Sequence, residues 1–417
     1  MSATASTAAH APDTARMRAR ALLRSRSVTL SLTAFAASRL LVLAAGAIGV
    51  LALNKHDGSS AAAALHALGP VGNVLAGSVD RFDATYYLEI AAHGYGPASA
   101  HLLAFFPLYP LLIRLLTPLT ASAVIAGAGI SAASFLAALI VTHRLTEREL
   151  GVRAADATVL LLSLAPLSLF FTAIYTESLF LALSVGAVAA ARAGRWRLAC
   201  GLGALATLTR PTGVLLIVAL ALIRVREAPR GRRDPSLLAV LTLPGALVAY
   251  MVALAVRGYP PLTLLTVQRH WGRVMIGPLG TLAAALWHAG RGLVRVIAGQ
   301  IPIYHPELAG PFPPPVQSIV LLVAMALACA AAITCIRRLP AAYGAYAVLV
   351  VVVCISTAGD NQPLWSFDRF ALTIFPLWMA AGAWLAQRRR LLAPTLVVSA
   401  ALLAFYTLQF SSWSFVA

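Results

Sequence analysis

The chain has 417 residues, 60% of them apolar and 11% charged, with a mean hydropathy of +0.83 and a formal net charge of +18. That composition excludes a soluble globule and describes a polytopic membrane protein, with no stretch that would make a separate soluble domain of typical size. The charge does not signal nucleic acid. Arginines cluster at 16–26, 144–153, 192–197, 224–233, 337–338 and 388–390, each between apolar runs, which is the pattern that marks a cytoplasmic side.

In chain order, residues 1–27 are polar and Arg-rich and read as a disordered cytoplasmic tail. The apolar run 28–53 is too long for a signal-peptide core and reads as an anchor helix leading outward. Residues 54–120 then form a long outer segment. Its apolar part, 102–119, is interrupted by Pro107, Pro110 and Arg114, and counting it as a span would invert every later loop, so it reads as a juxtamembrane helix. Runs 121–142, 156–173 and 176–192 return, exit and return. The stretch 198–223 breaks at Arg210-Pro211-Thr212-Gly213, and its halves are about 18–20 Å long at ~1.5 Å per residue, so it reads as a short or re-entrant hairpin with Arg210 at the tip. A helix at 236–257, a second outer segment at 258–315 and helices at 316–336, 341–357, 368–387 and 391–410 follow, with 411–417 as a short outer tail. The expected fold class is an all-α integral membrane bundle of about 11 membrane helices, one domain over 28–410 with juxtamembrane helices in its outer loops. Cys200, Cys329, Cys335 and Cys354 lie in apolar runs without C-x-x-C spacing and read as packing residues.

Acids are scarce, 14 in all, yet Asp80, Asp83 and Glu89 fall together in DRFDATYYLEIAAHGY (80–95) at a membrane boundary. On one helix, Asp80 and Asp83 would share a face, each raising the other's pKa while Arg81 lowers both. A carboxylate at that place suits general-base work on a sugar hydroxyl, while N-capping of a helix over 84–92 is the plain alternative. The same outer side collects His93, Glu177, Arg210, Arg269, His270, Arg273, Asp360, Asp368 and Arg369. Ionisable groups near a bilayer are expensive enough that this convergence points to a site.

Several segments in the same order carry a resemblance. RFDATYYLEIAAHGYG followed by AFFPLYPLLIRLL resembles the PIG-V family, the second mannosyltransferase of glycosylphosphatidylinositol assembly, and its bacterial relatives, with Phe82 in place of the family's tryptophan. IYTESLFLALS (174–184), ATLTRPTGVL (206–215, Pro-Thr replacing Ser-Asn) and DRFALTIFPLW (368–378) look like later family segments. The resemblance implies a GT-C-type helix bundle that takes sugar from a polyprenyl-phosphate donor to a lipid or glycan acceptor on the outer face of the cell membrane. It also implies an inverting single displacement with Asp83 as catalytic base.

Asp80, Arg81, Glu89, Tyr95 and Glu177 are the expected supporting residues. Arg210 and Arg369, then Arg269 and Arg273, are expected on the donor phosphate, because guanidinium holds phosphate bidentately and stays charged. Tyr86, Tyr87, His93, His270 and Trp271 are candidate sugar contacts. No compact metal-ligand cluster is visible and no cofactor is expected, although Asp83 with Glu177 would be able to hold one ion. A lipid or solute transporter, or a GT-C enzyme for glucose or arabinose, remains the alternative. A transporter would be expected to show paired broken helices in two halves, and only one break is evident.

Overall fold

The computed structural model describes residues 25–53, 68–227, 235–260, 262–304, 312–360 and 362–416. Residues 1–24 of the predicted tail 1–27, the stretches 54–67, 228–234 and 305–311, and residues 261, 361 and 417 lie outside the described residues. The first helix, α1 (Arg26–Leu53), takes in Arg26 and Ser27, so it begins two residues before the predicted span. Short helices α2 (Gly69–Gly77), α3 (Asp83–His93) and α4 (Leu108–Thr120) follow. At 13 residues α4 is about 20 Å long, short of a crossing, and it leaves Leu111, Leu115 and Leu119 exposed, as an interfacial helix does.

The central helices are α5 (Ala123–Leu150), α6 (Val152–Leu164), α7 (Glu177–Arg192), α8 (Trp196–Thr209) and α9 (Leu216–Glu227). The predicted hairpin at 198–223 is α8 and α9 with its break at Arg210–Leu215, where Gly213 lies so close to Ala206 that an added Cβ would stand 2.4 Å from the Ala206 carbonyl carbon. The remainder runs through α10 (Thr242–Val256), α11 (Thr263–Thr266), α12 (Gly277–Ile297), α13 (Pro314–Arg338), α14 (Ala341–Cys354), α15 (Phe367–Leu372), α16 (Phe375–Ala386) and α17 (Arg389–Ser411).

Among the described residues five helices are long and apolar enough to cross a membrane: Arg26–Leu53, Ala123–Leu150, Leu238–Val256, Pro314–Arg338 and Arg389–Ser411. Several others are shorter or broken. The predicted helix at 368–387 is split at Thr373–Ile374, ahead of Pro376, which leaves Arg369 outside the apolar part. The one departure from an all-α fold among the described residues is a two-stranded antiparallel ribbon, β1 (Arg273–Met275) with β2 (Thr357–Gly359), which ties the stretch before α12 to the end of α14.

Lipid tails are as apolar as leucine, so close backbone approach rather than apolar drive holds such helices together. Helices α1 and α17 meet at Gly49, where a Cβ would stand 2.0 Å from Ser411 Oγ. A second device is Arg39, in the middle of α1. The predicted exit at 156–173 is interrupted after α6 at Ala165-Pro166, which frees backbone carbonyls. Arg39, 6% exposed, donates to the Ser168 carbonyl at 2.8 Å, to Ser168 Oγ at 2.6 Å and to the Ser163 carbonyl at 3.3 Å, and lies 4.7 Å from the Phe135 ring. A broken helix at membrane depth persists only if its freed groups are satisfied, and Arg39 satisfies two carbonyls at this break, those of Ser163 and Ser168.

Candidate active site

The motif around Asp83 is built by a strained turn. Phe82 has φ 53° and ψ −118°, a region that costs a non-glycine residue about 1–3 kcal/mol and needs outside support. Its ring is boxed by Phe410, Trp413 and Phe415 at 5.5, 5.5 and 5.4 Å. Arg81 completes the brace, with its guanidinium 4.6 Å from the Trp413 ring and Nε donating to the Ser411 carbonyl at 3.2 Å. The last residues of α17 and the segment after it therefore hold the turn, and the turn makes Asp83 the first residue of α3. The Asp83 N–H donates to Tyr175 Oη at 3.1 Å, and that hydroxyl donates to the Arg81 carbonyl at 3.1 Å.

The expectation that Asp80 and Asp83 share a helix face is corrected by this turn. Asp80 lies outside α3, before the positive-φ residue Phe82, is 1% exposed, and has an Oδ1 with no hydrogen-bond partner. Burial, tempered by Arg81, pushes its carboxyl up to about 6. Nor does either acid N-cap α3: the cap position is Phe82, and no side chain caps there.

Four chain segments meet in one charged network. Arg369 Nη1 donates to Asp83 Oδ2 at 2.8 Å, and Arg369 Nε lies 3.5 Å from Glu177 Oε1. Arg210 Nη1, at the break between α8 and α9, lies 3.0 Å from the same Glu177 oxygen. The Glu177 side chain, at the start of α7, is 1% exposed and that of Asp83 is 20% exposed, so of the two carboxylates only Asp83 is open to a substrate. Burial acts to lower Arg369, but the carboxylates of Asp83 and Glu177 outweigh it and the guanidinium is held charged.

Arg273, on β1, joins through Phe370. That ring has Arg273, Arg210 and Arg369 at 4.9, 5.2 and 5.4 Å, and an aromatic face is one of few neutral groups that favours cations beside it. Burial, then the neighbouring Arg369, brings Arg273 down to about 10. Its Nη2 donates to the Trp365 carbonyl at 3.1 Å. Glu177 Oε2 has no hydrogen-bond partner, and neither Arg210 Nη1 nor Arg369 Nε makes a well-aligned bond. The network thus holds three guanidiniums against two carboxylates, with donor and acceptor capacity unspent.

The remaining predicted residues divide. Tyr86, His270 and Trp271 form an aromatic wall with His101: Tyr86 meets Trp271 edge-on at 5.3 Å, and His270 stacks on His101 at 5.5 Å. Trp271 Nε1 donates to the His101 carbonyl at 3.3 Å. Tyr87 is buried, with its hydroxyl 3.3 Å from Thr176 Oγ1, and Tyr95 donates to the Phe105 carbonyl at 2.6 Å. Both hydroxyls are taken up by the protein itself. Glu89, His93 and Arg269 are exposed, and the structure brings none of them into the network. Asp368 Oδ1 accepts from the Arg369 N–H at 2.9 Å, and Asp360 donates its N–H to the Gly272 carbonyl at 3.0 Å, so both shape backbone. Tyr175 and Phe370 were not anticipated. Their only sequence signal is adjacency, Tyr175 two residues before Glu177 and Phe370 next to Arg369.

Residues 20–228 match the family model for the mannosyltransferase PIG-V, a segment that contains Asp83, Glu177 and Arg210 but not Arg273 or Arg369. The GPI alpha-1,6-mannosyltransferase 2 of Cricetulus griseus is 33% identical over 154 residues, which cover 34% of this chain and 31% of that protein. The chain thus spans about a third of the length of the curated relative it matches. Two crystal structures of ArnT from Cupriavidus metallidurans, one bound to undecaprenyl phosphate and one in the apo state, align with 92% of this chain and with 76% and 78% of theirs. Their TM-scores are 0.46 and 0.37 and their identities 16% and 17%, and at that likeness neither the bound lipid nor the reaction carries over. By its match over half its length, this multi-pass membrane chain belongs to the PIG-V mannosyltransferase family.

Proposed function

We propose that the protein is a GT-C-type mannosyltransferase that moves mannose from polyprenyl-phosphate mannose to a hydroxyl of a lipid or glycan acceptor, on the membrane face opposite its arginine clusters. The observation that carries this reading is the 2.8 Å pair between Asp83 and Arg369, residues 286 positions apart. It joins the one substrate-accessible carboxylate of the network to a cluster of guanidiniums suited to phosphate.

In the reaction the acceptor oxygen bonds to the anomeric carbon, the bond from that carbon to the phosphate oxygen breaks, and Asp83 takes the acceptor's proton. One displacement of this kind inverts configuration. Negative charge therefore leaves Asp83 as it appears on the departing phosphate. Arg369 stands between the two, so it pairs with the carboxylate beforehand and with the leaving group afterwards, while Arg210 and Arg273 supply fixed positive charge to the developing phosphate. Buried Glu177 anchors Arg369 and Arg210 without competing for the proton. The Tyr86–Trp271 wall offers faces on which a sugar can stack.

The test is transfer by membranes or purified protein supplied with radiolabelled polyprenyl-phosphate mannose, glucose or arabinose. Asp83→Asn is expected to lower transfer by about 10²–10⁴-fold, the usual worth of a general base, with abundance and insertion unchanged. Near-normal turnover would sink the base assignment. Transfer from another sugar donor would change the substrate, and vesicle flux without labelled product would replace the enzyme with a transporter.

A further inference from the structure

At the end of the bundle away from Asp83 there is a cleft of 910 Å³, where α5 turns into α6 and α16 into α17, beside the C-terminus of α13. Among the described residues its rim carries Arg153, Arg338, Arg388, Arg389 and Arg390 and no carboxylate, and Leu150, Ala154, Ala386 and Leu391 contribute apolar wall. Two other arginines at this end are spent on acids: Arg26 pairs with Asp156, and Arg192 forks between Glu149 and Glu227. Of the five in the cleft, Arg388 lies 4.2 Å from the Trp384 ring, and none makes an ion pair with a described residue.

Membrane orientation asks for positive charge on one side but does not ask that it converge on a cavity. Here it also converges where it is least favoured. Helices α6 and α17 both begin at the cleft, and their first turns hold Arg153 in one case and Arg389 and Arg390 in the other. Neither first turn has an acid, and neither N-cap, Gly151 or Arg388, makes a side-chain cap bond. A helix N-terminus already carries about half a positive charge, so cations there call for an anion with several acceptor oxygens. Val152, Trp384 and Leu391, all at the rim or next to it, are 37%, 41% and 44% exposed, so the cleft borders an apolar surface of the kind that faces lipid.

We propose that this cleft binds the phosphate headgroup of an anionic phospholipid from the leaflet on the arginine side, with the acyl chains lying against the apolar wall. A soluble anion would need the guanidiniums but not that wall. Basic pockets between membrane helices recognise anionic headgroups in this way, each arginine contributing electrostatically and through paired N–H donors. The site is independent of the transfer chemistry.

The test is titration of the purified full chain in detergent with short-chain phosphatidylglycerol, read by native mass spectrometry. Phosphatidylcholine and inorganic phosphate are run beside it. The wild-type protein is expected to bind phosphatidylglycerol saturably and phosphatidylcholine weakly. Arg389→Gln with Arg390→Gln should weaken binding about 30-fold, at roughly 1 kcal/mol per arginine. Should neutralisation prevent insertion, Arg389→Lys with Arg390→Lys keeps the charge and removes the forks, and is expected to weaken binding about threefold. Arg337→Gln, one residue outside the cleft, should change nothing. Equal binding by all variants, or an equal loss in Arg337→Gln, overturns the site, and displacement of the lipid by millimolar phosphate overturns the assignment to a lipid.

Discussion

Helix α7 connects two charge networks about 24 Å apart, by its 16 residues at ~1.5 Å each, and they are built on opposite plans. At its C-terminus Arg192 donates to Glu149 at 2.9 and 3.4 Å and to Glu227 at 2.7 Å, and Tyr343 donates to Glu149 at 3.1 Å. Helices α5, α7, α9 and α14 are stitched together there, and the guanidinium forks onto two carboxylates. At its N-terminus Glu177 is shared between Arg210 and Arg369, Asp83 is partly open, and the arginines exceed the acids. The first arrangement spends its capacity on holding helices. The second leaves positive charge and hydrogen-bond capacity over, which is what a site must keep for an anionic substrate.

Mutations at the two ends should therefore differ in kind. After Asp83→Asn, the largest effect is expected from Arg369→Ala, which leaves both Asp83 and Glu177 without their shared cation. Transfer should fall about 10²–10³-fold and stability by about 3–5 kcal/mol, measured by the transfer assay and by thermal melting in detergent. A variant with normal transfer would show that the open network is merely structural. Glu177→Gln keeps the Asp83–Arg369 pair and removes one charge, so a loss of about 10–100-fold is expected, with melting lowered as well. Tyr175→Phe removes only the hydroxyl that bridges the Asp83 N–H and the Arg81 carbonyl. It should cost about 1 kcal/mol, read as a several-fold lower kcat at unchanged KM, and a change in KM alone would contradict a role in placing Asp83. At the other end, Arg192→Ala should leave transfer unchanged and lower stability by about 1 kcal/mol. If it slowed transfer as much as Glu177→Gln does, the contrast between the ends would be broken.

Parts of this were legible in the chain. A bilayer imposes one period and one length on apolar runs, so most helices could be placed, and the break at Arg210–Gly213 followed from its proline and glycine. Scarcity of acids drew out Asp80, Asp83 and Glu89 together, the convergence of ionisable groups on one side gathered Glu177, Arg210 and Arg369, and the family resemblance pointed to Asp83 as the base. Asp80 and Asp83 do not share a helix face because helical spacing assumes a continuous helix, and the positive-φ turn at Phe82 separates Asp80 from the start of α3. Arg269 and Arg273 looked equivalent in sequence, yet β1 carries only Arg273 toward Phe370. The role of Arg39 is not legible in the sequence, because its partners are backbone and hydroxyl oxygens at a break some 125 residues away, and nothing near it in the chain announces them.

By itself, then, the sequence determined that this protein crosses a membrane many times and that its arginines gather in the breaks between apolar runs, because solvation penalties act on composition and local order. Tertiary structure alone decided which carboxylate is exposed and which arginine meets it, and that Phe82 is held in place by the C-terminal aromatics. Those outcomes depend on contacts between segments up to 330 residues apart, as in the bond from Arg81 to the Ser411 carbonyl, and no local pattern encodes them.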